Sequence, residues 1–95
     1  MSANGGNVQS MLNIGADYWR GEGVDKDLVK GYMWLDLVRF YTQSESANRR
    51  LKYRARGALD EISKEMSSDA IAQAQALSRQ WDSDNRAKVR GAPKY

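Results

Sequence analysis

The 95-residue chain holds no histidine and no cysteine. The usual general base and the commonest metal ligand are therefore missing. Thiolate metal sites, a cysteine nucleophile and disulfides are missing with them. The carboxylates that remain do not assemble a catalytic kit. Glu61 and Glu65 stand four residues apart, a spacing that puts two carboxylates on one helix face, with Asp60 beside them. Lys64 is interleaved among them, and such a pattern reads as a solvated helix face with local ion pairs. Asp25 and Asp27 resemble the opening of a calcium loop, but the later glycine and the closing glutamate are absent, so helix capping is the better reading. Gly21-x-Gly23 lacks a third glycine, a preceding strand and any Gly-Lys-Ser/Thr, so it is not a nucleotide loop. No catalytic residue, metal site or cofactor is expected, and the chain is read as a non-enzyme.

Charge carries more information. Lysine and arginine number 15 against 12 aspartates and glutamates, a formal net charge of +3. Residues 1–48 hold 4 basic and 6 acidic groups, and residues 49–95 hold 11 and 6, so the halves differ at −2 and +5. Such asymmetry acts on encounter rates more than on fold. Its sharpest feature is Arg49-Arg50-Leu51-Lys52-Tyr53-Arg54-Ala55-Arg56. Five positive side chains in eight residues, with a tyrosine inside, suit phosphate contact and base stacking. On a helix, Arg49, Lys52 and Arg56 share one face and Arg50 and Arg54 another, which suits a solvated or partner-binding surface equally.

Helices must position these groups. Val8, Met11, Leu12, Gly15, Tyr18 and Trp19 form one helical stripe, with Gln9, Asn13, Asp17 and Arg20 opposite. Gly21-Glu22-Gly23 ends that helix, because glycine supplies the left-handed conformation of a C-cap. Asp27, or else Asp25, caps a second helix over about 28–41, whose stripe is Leu28, Gly31, Tyr32, Trp34, Leu35, Val38 and Tyr41. The short link forces an antiparallel hairpin. After a polar break, a third helix is expected over about 47–66, burying Leu51, Ala55, Ala58, Leu59, Ile62 and Met66. The triplet Ser67-Ser68-Asp69 offers the cap of a fourth, over about 69–81, burying Ala70, Ile71, Ala74, Leu77, Ser78 and Trp81. No segment alternates with period two, so no strand is expected. Residues 1–6 read as a flexible lead-in, 7–82 as one helical domain and 83–95 as a basic tail. Of Trp19, Trp34, Trp81, Tyr32, Phe40 and Tyr41, at least one is expected in an exposed apolar patch.

The segment from Ser10 to Val38 resembles the Sel1-like repeat, a relative of the tetratricopeptide repeat. The residues that carry the resemblance are Ile14-Gly15, Tyr18, Gly21, Gly23-Val24, Asp27, Lys30 and Trp34. Departures are Ser10 and Gly31 where alanine is usual, Ile14 for leucine, and the bulkier Leu37-Val38 near the usual alanine pair. Read physically, Gly15 allows close helix approach, Gly21 and Gly23 make the turn, Val24 plugs it, and Tyr18 and Trp34 fill the inter-helix space. One repeat cannot bury its apolar face alone, so the pair of helices over about 47–81 is expected to supply the neighbour of the repeat at about 10–42.

The expected fold is all-α, with antiparallel helix hairpins stacked as a short α-solenoid fragment. The resemblance implies an adaptor or scaffold that binds a partner protein in a concave groove. Gln9, Asn13, Asp17 and Arg20 are its expected lining, and Arg49, Lys52 and Arg56 a second surface for an acidic partner. A narrower form is an immunity or inhibitor protein that neutralises a bacterial toxin. Open repeat ends also allow a homodimer. The alternative is a nucleic-acid-binding module using the helix at 49–56 and the C-terminal tail. No apolar run reaches the length of a membrane span. The first residues show no signal-peptide pattern, which suits the cytoplasm, or the periplasm if a leader has been removed.

Overall fold

The computed structural model describes residues 8–42 and 49–85. They form four helices: α1 (Val8–Arg20), α2 (Leu28–Thr42), α3 (Arg49–Ser63) and α4 (Ser68–Asn85). No strand occurs among the described residues. The expected lead-in at 1–6 and most of the expected tail lie outside them. The helix boundaries follow local chemistry. Gly21 and Gly23 adopt φ of 75° and 78°, the left-handed region that a side chain disfavours, and the Gly21 amide donates to the Asp17 carbonyl at 2.7 Å. Asp27 caps α2, its Oδ1 accepting from the Lys30 amide at 3.1 Å. Ser67 caps α4 in the same way, accepting from the Ala70 amide at 3.1 Å.

Two expected boundaries move. α3 ends at Ser63, and a tight turn carries the chain through Lys64, Glu65 and Met66. α4 runs on to Asn85, into the segment expected as tail. There Gln80 Nε2 donates to both Asp84 carboxylate oxygens, and Asn85 Nδ2 donates to the Trp81 carbonyl. These polar pairs sustain a helix that an apolar stripe does not announce.

α2 is the central element, packed on by α1, α3 and α4. The backbones of α3 and α4, although consecutive, approach each other at few points. Close approach comes first from two glycines. A Cβ at Gly15 would lie 2.9 Å from Leu35 Cγ, and one at Gly31 would lie 3.1 Å from Ile62 Cδ1 and 3.2 Å from the Gly15 carbonyl oxygen. Met11, Leu35, Leu37, Val38, Ala55, Ile62 and Ala74 complete the interior. Three flanking helices bury α2 almost all round, so Asp36 and Leu37, off the expected stripe, are buried too.

Other expectations are corrected. Val24 does not plug the turn, since it is 41% exposed. Trp34 fills the space towards α4, edge-on to Trp81 with ring centroids 5.2 Å apart. None of the six large aromatics expected to supply an exposed patch is exposed: Tyr32 and Tyr41 are buried, and Trp19, Trp34, Phe40 and Trp81 pack partly buried against the core. The exposed ring is Tyr53, at 60%.

Candidate binding surface

α3 turns one apolar edge inward, through Ala55, Leu59 and Ile62. The outside of its first half is basic, and Asp60 and Glu61 are exposed further along. Arg49, Arg50, Arg54 and Arg56 are exposed, with Tyr53 standing among them and Lys52 half-buried. The ion pairs among the described residues are Lys26–Glu65, Arg39–Asp36, Lys64–Asp60 and Lys64–Glu61, so none of those four arginines has a carboxylate partner among the described residues. The first turn of α3 contains no acidic residue. Positive charge there opposes the helix macrodipole, whose N-terminal end favours anions. Arg49 and Arg50, in that turn, therefore gain nothing from the dipole. Gly57, one turn beyond Tyr53, has nothing within 4 Å of the position a Cβ would take, so the face beside the ring is open.

Where α3 and α4 diverge, the surface of α2 lies between them. Two clefts occupy this space. The larger, about 470 Å³, is lined by Asp36, Leu37, Arg39 and Phe40 of α2 and by Ser78, Arg79 and Asp82 of α4. The smaller, about 240 Å³, is lined by Tyr32 and Arg39 and by Arg56, Leu59, Asp60 and Ser63 of α3. Arg39 belongs to both, so the two clefts adjoin on α2, with Asp60 beside Arg56 in the smaller and Asp36 and Asp82 beside Arg39 and Arg79 in the larger.

The cleft floor is fixed by buried polar bonds. Asp36, 6% exposed, accepts from Ser78 Oγ at 2.7 Å through one oxygen and from Arg39 Nη2 at 2.5 Å through the other. Tyr41 donates its hydroxyl to Asp82 Oδ1, and Gln75 Nε2 donates to the Tyr32 hydroxyl at 3.4 Å. Buried polar groups held this way fasten α4 to α2 in one register. A serine and an aspartate in contact, with no imidazole between them, do not make an activated nucleophile. Among the described residues no group of three or more carboxylates could hold a metal ion, and no helix is long and apolar enough to cross a membrane.

The sequence-derived candidates fall in different places. Gln9, Asn13 and Arg20 are exposed on the outer side of α1, with Asp17 half-buried, and none of the four lines either cleft. Gln9 Nε2 donates to Asn13 Oδ1 at 3.4 Å, and Arg20 lies over the Trp19 ring. Of Arg49, Lys52 and Arg56, only Arg56 reaches a cleft. The structural anchors cluster at the first hairpin, where Lys30 sits 5.6 Å from the centroid of Tyr18. Sequence reasoning missed Arg39, Arg79 and Asp36, which are isolated charges in α2 and α4 with no local motif to mark them. Of the carboxylates expected as a solvated helix face, Asp60 and Glu61 form one, but Glu65 lies beyond the end of α3. Lys64 pairs with Asp60 and Glu61, while Glu65 turns away to accept from the Trp19 indole at 3.0 Å and to meet Lys26 at 3.6 Å. The Trp19 hydrogen bond holds the Glu65 carboxyl below its ordinary pKa, helped by Lys26 and opposed by partial desolvation.

The chain matches no family model, no curated protein and no solved structure.

Proposed function

We propose that this chain is a non-catalytic binding module of the Sel1-like kind, and that its basic α3 face captures an acidic partner protein. The reading rests on one observation: four exposed arginines without carboxylate partners among the described residues, two of which, Arg49 and Arg50, stand in the first turn, where the helix dipole disfavours them. Residues that weaken their own helix without contributing a contact are accounted for by what binds them. The hairpin anchors support the repeat assignment in kind, because Gly15, Gly21, Gly23 and Asp27 each perform a duty that a tight helix pair requires. Neutralisation of a toxin would be one use of such a module, with the acidic surface on the toxin.

Exposed Tyr53 favours a second reading, nucleic-acid binding, in which the ring stacks on a base and the arginines hold phosphates. One experiment separates the two. Binding of labelled polyglutamate and of single- and double-stranded oligonucleotides is followed by anisotropy across a salt series. The Arg50→Gln/Arg54→Gln and Tyr53→Ala variants are run beside the parent. An acidic-protein site binds polyglutamate, loses affinity in the double arginine variant and tolerates Tyr53→Ala. A nucleic-acid site prefers the oligonucleotide and loses about 1–3 kcal/mol without the ring. No binding of either probe at low salt rejects both readings. Charge reversal at Asp17 and Arg20 is the matching test of the α1 face. Loss of polyglutamate binding there, with the α3 variants unaffected, would move the site to α1.

A further inference from the structure

We infer that the acidic partner of the α3 face is a second copy of this chain, whose opposite end carries the matching charge. This names the partner of the proposed function and rests on that reading. The charges of the described residues are sorted along the bundle. The Trp19–Glu65 hydrogen bond and the Lys26–Glu65 pair bring the turn after α1 and the turn after α3 to one end. Residues 20–27 and 60–69, at that end, hold 3 basic and 7 acidic groups, a formal −4. The Tyr41–Asp82 bond joins the last turns of α2 and α4 at the other end. α3 begins there, since its far end packs Ile62 on Gly31, near the start of α2. Residues 36–42, 49–56 and 79–85 hold 7 basic and 3 acidic groups, a formal +4. Outside these stretches the described residues carry one charge of each sign, Asp17 and Lys30.

Local pairing leaves both surpluses standing. At the acidic end Lys64 meets Asp60 and Glu61, Lys26 meets Glu65, and Arg20 lies over the Trp19 ring. Glu22, Asp25 and Asp69 are exposed there with no ion pair among the described residues. At the basic end Arg39 is matched by Asp36, and the four exposed arginines of α3 are not matched. The 15 residues of α3 separate the two ends by about 20 Å. That is more than twice the Debye length at physiological salt, about 8 Å, so the ends do not neutralise each other within one copy. Contact between copies does. Each end also offers one exposed apolar side chain: Val24 stands between Glu22 and Asp25, and Tyr53 stands among the arginines. Gly23 and Gly57, beside them, have nothing within 4 Å of where a Cβ would sit, so both sites are open to approach. An apolar centre within a charged rim is the common anatomy of a protein interface. The contact is heterologous, so each pair keeps one free end of each sign and growth continues unless a ring closes.

Sedimentation velocity of the full chain over a concentration series tests this. The weight-average mass should rise with concentration at low salt and return to the monomer value at about 1 M salt, where the Debye length is about 3 Å. Two charge reversals at exposed positions, Glu22→Lys/Asp25→Lys and Arg50→Glu/Arg54→Glu, should each leave the chain monomeric throughout. An equimolar mixture of the two should associate again, because each supplies the end that the other has kept, and that recovery also shows both variants folded. A parent chain that stays monomeric at low salt while binding polyglutamate overturns self-association and leaves the basic face standing. A monomer that also fails to bind polyglutamate overturns the inference and the proposed function together. Association that persists at about 1 M salt or survives either reversal, or a mixture of the variants that stays monomeric, overturns the charge-paired contact.

Discussion

At the scale of single residues, the helix contacts of this molecule are set by what is missing from two positions and open at a third. Gly31 has Ile62, the Gly15 carbonyl and the Trp19 amide within 3.1–3.3 Å of where a Cβ would sit. Alanine there would force α2 away from α1 and α3 at once. Gly31→Ala should therefore destabilise the fold by about 1–3 kcal/mol, the usual cost of overpacking, despite alanine's better helix propensity. Gly57→Ala is the control, because it places a methyl in open space. It should stabilise by about 0.4–1 kcal/mol through the unfolded chain. Urea titration followed by circular dichroism measures both. Equal signs for the two substitutions would mean that close packing at Gly31 does not govern helix spacing. The sequence marks Gly31 as a departure from the repeat pattern, and Ile62 of α3 now gives the departure a physical cause.

Among elements, two fastenings hold the outer helices to the centre. The first is the buried pair Asp36 and Ser78, which joins α2 to α4. Ser78→Ala removes one donor from a buried carboxylate and should cost about 1–3 kcal/mol. Because Ser78 lines the cleft, the loss should be read in urea unfolding and not inferred from binding. The second is the corner where Trp19, at the end of α1, and Lys26, in the following turn, meet Glu65 between α3 and α4. The Glu65 pKa is lowered on folding. Its contribution to stability is then present above the unfolded glutamate value, about 4.3, and drains away as pH falls from there through the folded value. Glu65→Gln should flatten the fall in stability below about pH 5, with Trp19 fluorescence reporting the corner directly. An unchanged acid profile would show that the corner is not coupled to folding. Neither fastening was legible in the residues alone, because the Asp36–Ser78 and Trp19–Glu65 bonds join positions 42 and 46 apart in sequence. The helices themselves were legible, since their stripes and the caps at Asp27 and Ser67 are local signals. Burial of Asp36 and Leu37 was not, because periodicity describes a helix with one covered side, and α2 is covered on nearly all of them.

For the whole molecule, the uneven distribution of charge poses a choice between stability and recognition. Residues 49–95 carry a formal +5 and residues 1–48 a formal −2, and the positive density peaks on the outer face of α3. A chain shaped by stability alone would place acidic residues in that first turn. Arg50→Glu makes the substitution that stability favours. It should raise unfolding free energy by about 0.3–1 kcal/mol at low salt, less as salt screens the dipole. The same change should abolish measurable polyglutamate binding, so that stability and affinity move in opposite directions in one variant. Urea unfolding and anisotropy on a single preparation give both numbers. A loss of stability in Arg50→Glu would mean that the arginine supports the fold, and the physical reason for assigning the face to a partner would be gone. A gain in stability with binding retained would place the anionic contact elsewhere on α3, at Arg54 or Arg56. The opposed pair of shifts is the outcome that a surface kept for recognition requires, since no folding contact among the described residues accounts for the charge it displays.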